Sequence, residues 1–405
     1  MAKRKSKEFS RRNFLGVSIG TAVAAGIGCG SSDKGSQQAA GGQAANGGTG
    51  ANGGANATGG ASTVNGGTAA TGGTWSSDHS STSSSTGASA PSGGTSSTGG
   101  AKLVGLVRNA DLPAATKQAI ALAGGLPNLA GRTVLLKPNL LTATASPCTP
   151  NPEVVRGVLQ AVKAAGATKI LIGDGSMSGT AQSVMSSVGI HAVNTSEATS
   201  GVTITEVNFS ATTNLKPSGA TGWNSGMDIY NDLLDDGSGN KPYVINIACC
   251  KHHGITVWTM VMKNWYGCVP SSGRQHINSG TARQAHIAEL HMAAKEDFVI
   301  LDATKAYITG GPSSGTQASP GIVVASADAV AAEATGLAIL RQYRSAGGVA
   351  KDDIENQKIF NTDNKTLMGR ALTLGNGWIT SRSQYSYAAE GLGADEATII
   401  AQLDT

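Results

Sequence analysis

Two patterns of apolar residues alternate along residues 101–405 and predict different elements. Short continuous apolar runs indicate buried strands, whereas apolar residues repeated every three or four positions indicate helices with one buried face. The runs predict strands at residues 102–108, 133–137, 169–174, 202–207, 243–248, 298–302 and 322–325. The helical pattern covers residues 111–123, 152–166, 180–189, 256–265, 282–293, 328–344 and 395–403.

Local signals refine the ends of these elements. Asp111 followed by Pro113 is typical of a helix cap with proline in the first turn, and Gly166 follows the last apolar position of the second helix. The polar stretch at residues 210–241 interrupts the alternation. It is predicted to be a surface excursion with some helix near residues 227–234.

Buried strands that alternate with amphipathic helices indicate the fold class. They are typical of a mainly parallel sheet that helices cover on both faces. We therefore predict an α/β domain over residues 101–405.

Residues 30–100 show a different composition and no such pattern. Residues 41–100 contain 18 glycines and one charged residue, Asp78, and Ala-Asn-Gly-Gly and Ala-Thr-Gly-Gly units recur. Such a segment lacks the apolar mass that would offset the entropy of ordering its backbone. It is predicted to be a disordered linker that tethers the domain, with a glycosylated stalk as the alternative because Ser and Thr are dense at residues 74–98.

Residues 1–29 are predicted to direct export. Arg11 and Arg12 precede an apolar run, residues 17–27, that is short for a membrane span, and paired arginines indicate the twin-arginine translocase. The sequence Gly26-Ile27-Gly28-Cys29 resembles a lipobox, with Gly26 where Leu is usual. We expect lipidation at Cys29, a membrane anchor through that lipid, and a periplasmic or cell-surface location.

Charge excludes one class of partner. The formal net charge is +4, but residues 1–29 contribute six basic residues and one glutamate, so the remaining chain carries a net charge of −1. Proteins that bind nucleic acid through the phosphate backbone need a basic surface. No nucleic-acid partner is expected.

Polar side chains collect where the predicted strands end. Lys137 and Asn139 follow the second strand, Asp174 ends the third, residues 249–253 follow the fifth, and Asp302 ends the sixth. In open α/β sheets, ligands bind outside the carboxyl ends of the strands. The sequence therefore predicts a ligand site at this edge of the sheet.

Three lysines give this site its expected chemistry. Lys137, Lys251 and Lys263 lie at or near apolar segments, where a lysine is costly to bury unless it meets an anion or solvent. Together with Asn139 and Asn264 they would bind a carboxylate, a phosphate or another small oxyanion.

Two carboxylates offer a different explanation for the same lysines. Asp174 and Asp302 could form structural ion pairs with them, or could equally hold a metal ion or take up a proton. The sequence leaves these alternatives open.

Four cysteines remain if Cys29 is lipidated: Cys148, Cys249, Cys250 and Cys268. They could form two disulfides in an oxidising compartment, ligate a metal ion or a cluster, or stay buried as free thiols, and a structural or disulfide role is favoured. The adjacent pair follows a predicted strand, so its two side chains are expected to diverge.

An ordered set of motifs resembles the uncharacterised domain-of-unknown-function family numbered 362. The motifs are Lys137-Pro138-Asn139-Leu140, Pro152-Glu153-Val154-Val155, Lys251-x-His253, Met262-Lys263-Asn264-Trp265-Tyr266-Gly267, His276, Asp302-Ala303 and Gly310-Gly311-Pro312. The resemblance covers nearly all of residues 101–405, although Glu333 stands where the family usually has Asp. Many relatives are described as iron–sulfur proteins with a ferredoxin-like segment, but this chain has no Cys-x-x-Cys-x-x-Cys run.

The resemblance also matches His253 and His276 to histidines of the family. Imidazoles serve in acid–base chemistry near neutral pH. We therefore assign Lys251, His253 and His276 as candidate catalytic residues. Lys137, Asn139, Lys263 and Asn264 are the candidate substrate-binding residues, and Asp174 and Asp302 the candidate metal ligands.

Three functional hypotheses follow. The first is an enzyme that acts on a small anionic substrate, with or without a metal ion. The second is an iron–sulfur redox protein that uses Cys148, Cys249, Cys250 and Cys268. The third is a surface lipoprotein that binds a ligand without turnover.

Overall fold

The computed structural model describes residues 102–280 and 282–405. The strands in this part of the chain are β1 Lys102–Arg108, β2 Thr133–Pro138, β3 Lys169–Asp174, β4 Thr203–Asn208, β5 Thr212–Leu215, β6 Met227–Tyr230, β7 Tyr243–His253, β8 Val257–Thr259, β9 Phe298–Tyr307, β10 Gln317–Ala318, β11 Ile322–Ser326 and β12 Tyr385–Glu390. The α-helices are α1 Leu112–Leu122, α2 Pro152–Ala164, α3 Ala181–Val188, α4 Ile190–Glu197, α5 Val261–Asn264, α6 Ser271–Ser279, α7 Arg283–Glu289, α8 Ala329–Ala346, α9 Asp353–Asn356, α10 Leu367–Thr373 and α11 Asp395–Ala401.

One mixed sheet of ten strands organises the domain. Its main order is β12-β1-β11-β9-β7-β2-β3-β4, with β10 paired to β9 and β8 paired to β7. The central pairs β9–β7, β7–β2, β2–β3 and β3–β4 are parallel, and β11 is antiparallel to both of its neighbours. The predicted fold class, α/β with a mainly parallel sheet, is confirmed.

Two hydrophobic clusters lie on opposite faces of this sheet. Successive side chains of β7 show the division, because Val244 and Ala248 pack in one cluster while Tyr243, Ile245 and Ile247 pack in the other. Helices complete both clusters: α2 packs on the second face and α8 on the first. The near-continuous apolar sequence of β7 follows from burial on both faces.

The capping signals placed the early helices correctly. The Asp111 carboxylate accepts from the Ala114 backbone N–H, which caps helix α1 at its predicted start. Gly166 has φ +95° just after α2, a conformation that a residue with a side chain rarely adopts. The predicted bounds of β1 and β3 agree with the structure residue for residue.

The expected helix near residues 227–234 is wrong. Met227–Tyr230 forms strand β6 of a hairpin with β5, and a short 3-10 turn follows it at Asn231–Leu233. Met227 and Ile229 are buried while their neighbours are half-buried, which is the two-residue alternation of a strand. The polar stretch was correctly placed as an excursion, but its local period was misread.

The segment after β7 also differs from the predicted helix at residues 256–265. β7 continues through His253 and turns back as β8, so only Val261–Asn264 is helical. Residues 249–253 therefore belong to a strand and not to a loop. β9 likewise extends beyond Asp302 to Tyr307.

Other expectations concern parts of the chain that the structure does not describe. The twin-arginine signal, the lipobox at Cys29 and the linker at residues 30–100 all lie outside the described residues. Within residues 102–280 and 282–405, none of the helices has the length and apolar character needed to cross a bilayer.

Candidate functional site

The carboxyl ends of β2, β3 and β7 place the predicted polar residues at one edge of the sheet. β2 lies between the other two strands and runs parallel to both, so Lys137 and Asp174 leave the sheet side by side. Lys251 lies further along β7, opposite Thr259 of β8.

Lys137 is committed to a structural ion pair. Its Nζ lies 2.8 Å from Asp174 Oδ1, and both side chains are buried. The same ammonium donates to the Asn264 carbonyl at 2.6 Å, and Asp174 Oδ2 accepts from the Leu140 N–H at 3.0 Å. Since the Lys137 ammonium already meets a carboxylate and a carbonyl, the ion-pair alternative describes Lys137 better than substrate binding does.

Asn264 is the centre of a buried amide network below this pair. Its Nδ2 donates to Asn246 Oδ1 at 2.7 Å and to the Lys137 carbonyl at 3.3 Å. Asn246 in turn donates from Nδ2 to the Val261 carbonyl at 3.0 Å. These bonds fix helix α5 against the ends of β2 and β7. The role that they indicate for Asn264 is structural.

Lys251 is fully buried and held by neutral oxygens. Its Nζ donates to the Cys148 carbonyl at 2.8 Å and to Asn139 Oδ1 at 3.2 Å. Lys251 therefore binds Asn139 and the loop that contains Cys148, and no carboxylate of the described residues contacts its ammonium. Lys251 and Asn139 stay candidates for the site, as buried residues that line it.

Asp302 of β9 is a buried carboxylate with three hydrogen bonds from the protein. Its Oδ2 accepts from the Asn151 N–H at 2.7 Å, and its Oδ1 accepts from the Thr304 N–H at 2.9 Å and the Thr304 hydroxyl at 2.6 Å. Burial raises the pKa of this carboxyl, and the hydrogen bonds and Lys251 partly offset the rise. The carboxylate anchors the start of α2.

A metal ion fits these residues poorly. The described residues contain no group of three or more His, Cys, Asp or Glu side chains that could hold one. Asp174 and Asp302 are each engaged by other protein groups, as described above. The metal-ligand assignment of these two aspartates stays a prediction without structural support.

The four cysteines are buried free thiols, so the favoured disulfides are wrong. Cys250 packs in the cluster on the first face of the sheet, its Sγ 3.7 Å from the Gly336 carbonyl, in keeping with the expected divergence from Cys249. Burial raises the pKa of Cys249, Cys250 and Cys268. Within the described residues the four thiols do not form the ligand set of an iron–sulfur cluster.

His253 is a buried, neutral imidazole. Its Nδ1 lies 3.0 Å from the Ile255 N–H and 3.2 Å from the Thr256 N–H, both donors, so Nδ1 accepts and the ring proton belongs on Nε2. Burial and the nearby cations Lys263 and Lys251 lower its pKa to about 3. At neutral pH, His253 offers an N–H donor.

Lys263 differs from the other two lysines. Its side chain is half-buried, its Nζ lies 4.9 Å from the centre of the Tyr266 ring, and no described residue forms a hydrogen bond or an ion pair with it. Burial first, and then the charges of Lys251 and Arg283, lower its pKa to about 7. Lys263 therefore loses its proton more readily than an ordinary lysine does.

Sequence reasoning missed Arg283, which lies at the start of α7. Its Nη2 donates to the Asn278 carbonyl at 2.7 Å, while its Nε is buried without a partner among the described residues. Its charge lowers the pKa of both Lys263 and His253. No spacing or motif distinguishes this arginine in the sequence. Only the fold reveals it, because the neighbouring Gln284 donates to the Thr256 carbonyl between β7 and β8.

Glu333 of α8 positions the backbone that carries Lys263. Its Oε1 accepts from Trp258 Nε1 at 2.6 Å and its Oε2 accepts from the Met262 N–H at 3.1 Å. Burial raises the pKa of this carboxyl to about 7. The residue immediately before Lys263 is thereby fixed to the long helix.

His276 lies apart from Lys251 and His253. It is exposed on helix α6, where its Nε2 donates to the Gly222 carbonyl at 2.6 Å and its ring stacks on His286 at 5.3 Å. No contact joins it to Lys251 or His253 within the part of the chain that the structure describes. Its placement favours a role in holding the excursion of residues 210–241.

We call the group formed by His253, Lys251, Lys263 and Arg283 the basic pocket. Two of the cations, Lys263 and Arg283, have polar groups without a protein partner in the described residues. The buried carboxylates Asp302 and Glu333 are engaged elsewhere. An uncompensated group of cations beside a neutral N–H donor can accommodate an oxyanion.

Comparisons with known proteins agree with the resemblance of the motifs. A family model described as "Domain of unknown function (DUF362)" matches residues 134–338, half of the chain. The chain is 30% identical over 218 residues to the "Thylakoid-associated protein sll1697" of Synechocystis sp., an alignment that covers 51% of this chain and 63% of that protein. No solved structure is significantly similar.

Proposed function

This chain belongs to the DUF362 family, and from its basic pocket we propose that it is an enzyme acting on a small organic anion. One observation carries the proposal: Lys263 and Arg283 converge on Tyr266, yet neither cation has a carboxylate partner among the described residues. The Lys263 Nζ lies 4.9 Å from the centre of the Tyr266 ring. Asn278 accepts from Arg283 through its carbonyl and donates to the Tyr266 hydroxyl, each at 2.7 Å. Structural cations are normally paired when they are buried. A bound anion supplies the missing partner.

Binding of an anion should change the protonation of Lys263 in a defined direction. An oxyanion beside Lys263 stabilises its protonated form, so binding raises the lysine pKa above its value of about 7. Binding at slightly alkaline pH is therefore accompanied by proton uptake. A pocket whose lysine kept an ordinary pKa would bind without it.

The neutral His253 contributes a directional contact. Because its Nδ1 is occupied by two backbone N–H groups, the Nε2–H is the side of the ring that remains for a ligand. A neutral donor adds no further positive charge to a pocket that already holds Lys251, Lys263 and Arg283. His253 is thus assigned as a hydrogen-bond donor to the anion and not as a general base.

Titration calorimetry with inorganic phosphate tests the anion site. Wild-type protein is expected to bind phosphate and to take up a proton, seen as a dependence of the heat on the ionisation enthalpy of the buffer. The substitution Lys263→Met should weaken binding by at least about tenfold, the value of one charge-assisted contact. Lys305→Met, an exposed lysine on β9, is the matched control.

Equal phosphate affinity in wild type, Lys263→Met and Lys305→Met would overturn the site. Loss of binding only in Lys263→Met, with an unchanged circular dichroism spectrum, would support it.

We also propose that the folded domain is exported through the twin-arginine translocase and anchored by lipid at Cys29. The support is sequence alone: Arg11 and Arg12 before the apolar run, and Gly26 to Cys29 at its end. Metabolic labelling with a fatty acid tests the anchor. Label in wild type that is lost in Cys29→Ser supports it, and label in neither contradicts it.

A further inference from the structure

We propose that the Lys263 amine forms an imine with the carbonyl carbon of a bound oxo acid, a small molecule that carries an aldehyde or ketone next to a carboxylate. This inference rests on the proposed anion site and names its substrate class. It also assigns the chemical step, because the enzyme would act through a covalent bond to the substrate.

The contacts of the three lysines single out Lys263. Lys137 is bound by Asp174 and a carbonyl, and Lys251 is bound by two neutral oxygens. Among the described residues, Lys263 has no hydrogen-bond or ion-pair partner. Its Nζ lies over the face of Tyr266, and its side chain is half-buried, whereas Lys137 and Lys251 are fully buried. It is the amine of this group that a substrate can reach.

The surroundings of Lys263 favour the uncharged amine that imine formation needs. A lysine desolvated beside other cations loses its proton more readily and becomes nucleophilic near neutral pH. Lys251 and Arg283 are those cations, and the His253 ring adds no competing negative charge. A carboxylate in contact with Lys263 would have the opposite effect, and none is present among the described residues.

Arg283 supplies the complementary half of the recognition. Its buried Nε has no protein partner in the described residues and can donate to a carboxylate oxygen, as guanidinium groups commonly do. In an oxo acid, the carbonyl carbon is directly bonded to that carboxylate. A substrate held by its carboxylate at Arg283 therefore presents an electrophilic carbon to the neighbouring amine.

The reaction balances without an oxidant or a reductant. The nitrogen lone pair forms a bond to the carbonyl carbon while the C=O π electrons move to oxygen, which takes up a proton as the nitrogen releases one. The resulting carbinolamine then loses its hydroxyl group as water while the second amine proton leaves. Amine and carbonyl compound thus give imine and one molecule of water.

Reductive trapping tests the step on the full chain. We would incubate the protein with pyruvate and sodium cyanoborohydride near neutral pH, digest it, and locate the reduced adduct by peptide mass spectrometry. Lys263 should carry at least about tenfold more adduct than the exposed lysines Lys305 and Lys117. Excess inorganic phosphate should protect Lys263 by competing for the pocket.

The two assays separate this inference from the proposed function. Lys263→Arg has no primary amine, so it should show no adduct at position 263. Phosphate binding by wild type without any preference of the adduct for Lys263 would overturn the imine and leave the anion site intact. Absence of both phosphate binding and adduct would overturn both. If Lys263→Arg fails to fold, adduct mapping on the wild-type chain decides alone.

Discussion

Lys137 and Asp174 form a buried ion pair that joins the carboxyl ends of two neighbouring parallel strands. The Lys137 Nζ lies 2.8 Å from Asp174 Oδ1 and donates to the Asn264 carbonyl, and the Leu140 N–H donates to Asp174 Oδ2. This pair explains why a lysine ends an apolar strand. Lys263 has no such partner in the described residues, and this contrast is why we propose Lys263 as the lysine that meets a ligand.

Removing one half of this pair should destabilise the fold strongly. Lys137→Met leaves the Asp174 carboxylate buried with a single backbone donor, and such an uncompensated charge costs about 3–5 kcal/mol. Chemical denaturation measures the loss. Lys169→Met, an exposed lysine on β3, is the control and should change stability by less than about 0.5 kcal/mol.

The double variant Lys137→Met/Asp174→Asn refines this test. The amide introduced in place of the Asp174 carboxylate would be uncharged, and its oxygen could still accept from the Leu140 N–H, so part of the lost stability should return. A double variant less stable than Lys137→Met would contradict the charge-pair explanation.

The fold could be predicted from sequence wherever local pattern and tertiary context agree. β1 and β3 are short apolar runs, and Asp111 caps α1 through its own side chain, so each needs only local information. The prediction failed at Met227–Tyr230, where pairing with β5 decides the structure, and at Val257–Thr259, where β8 pairs with the extension of β7. Non-local pairing overrides intrinsic propensity at such places.

The candidate site was predictable only in outline. Strand ends identified Lys137, Asp174 and Lys251 as neighbours, because parallel strands present their carboxyl ends together. The sequence could not tell which lysine forms a structural ion pair and which is left for a ligand, since this depends on which ammonium meets a carboxylate. Nor could it find Arg283, whose contribution arises from the packing of a separate helix.

Asn264 should be intolerant of the isosteric change to aspartate. Its Nδ2 faces Asn246 Oδ1 and the Lys137 carbonyl, so an oxygen in that place would meet two acceptors. Asn264→Asp is expected to cost about 3 kcal/mol or more, and the loss should grow as pH rises above about 4 and the new carboxyl ionises. Urea denaturation across that pH range tests this, with the exposed Asn356→Asp as control. Equal losses in the two variants would contradict the network.

Gly311 should be required for the loop that packs against the end of β7. It has φ +70°, and a Cβ there would clash with the His252 carbonyl oxygen. Gly348 has φ +67° and open space around it, so Gly348→Ala measures the backbone cost alone, about 1–2 kcal/mol. Gly311→Ala should cost clearly more in thermal unfolding, and it should also weaken phosphate binding by displacing His253. Similar losses of stability in both variants would contradict the predicted clash of the new Cβ with the His252 carbonyl.

Lys263 should impose a specific pH dependence on stability. Its pKa is about 7 in the folded protein and about 10.4 in an unfolded chain, so between these values the unfolded state binds more protons. Stability of the wild type relative to Lys263→Met should therefore rise as pH increases from about 7 to about 10. Below about pH 7 the lysine is protonated in both states, so the difference between the two proteins should be constant.

Urea denaturation of both proteins over this range is the measurement, with Lys305→Met as the control that should parallel the wild type. If the Lys263→Met curve also runs parallel to the wild type above pH 7, the lysine has an ordinary pKa and the pocket does not hold an uncharged amine.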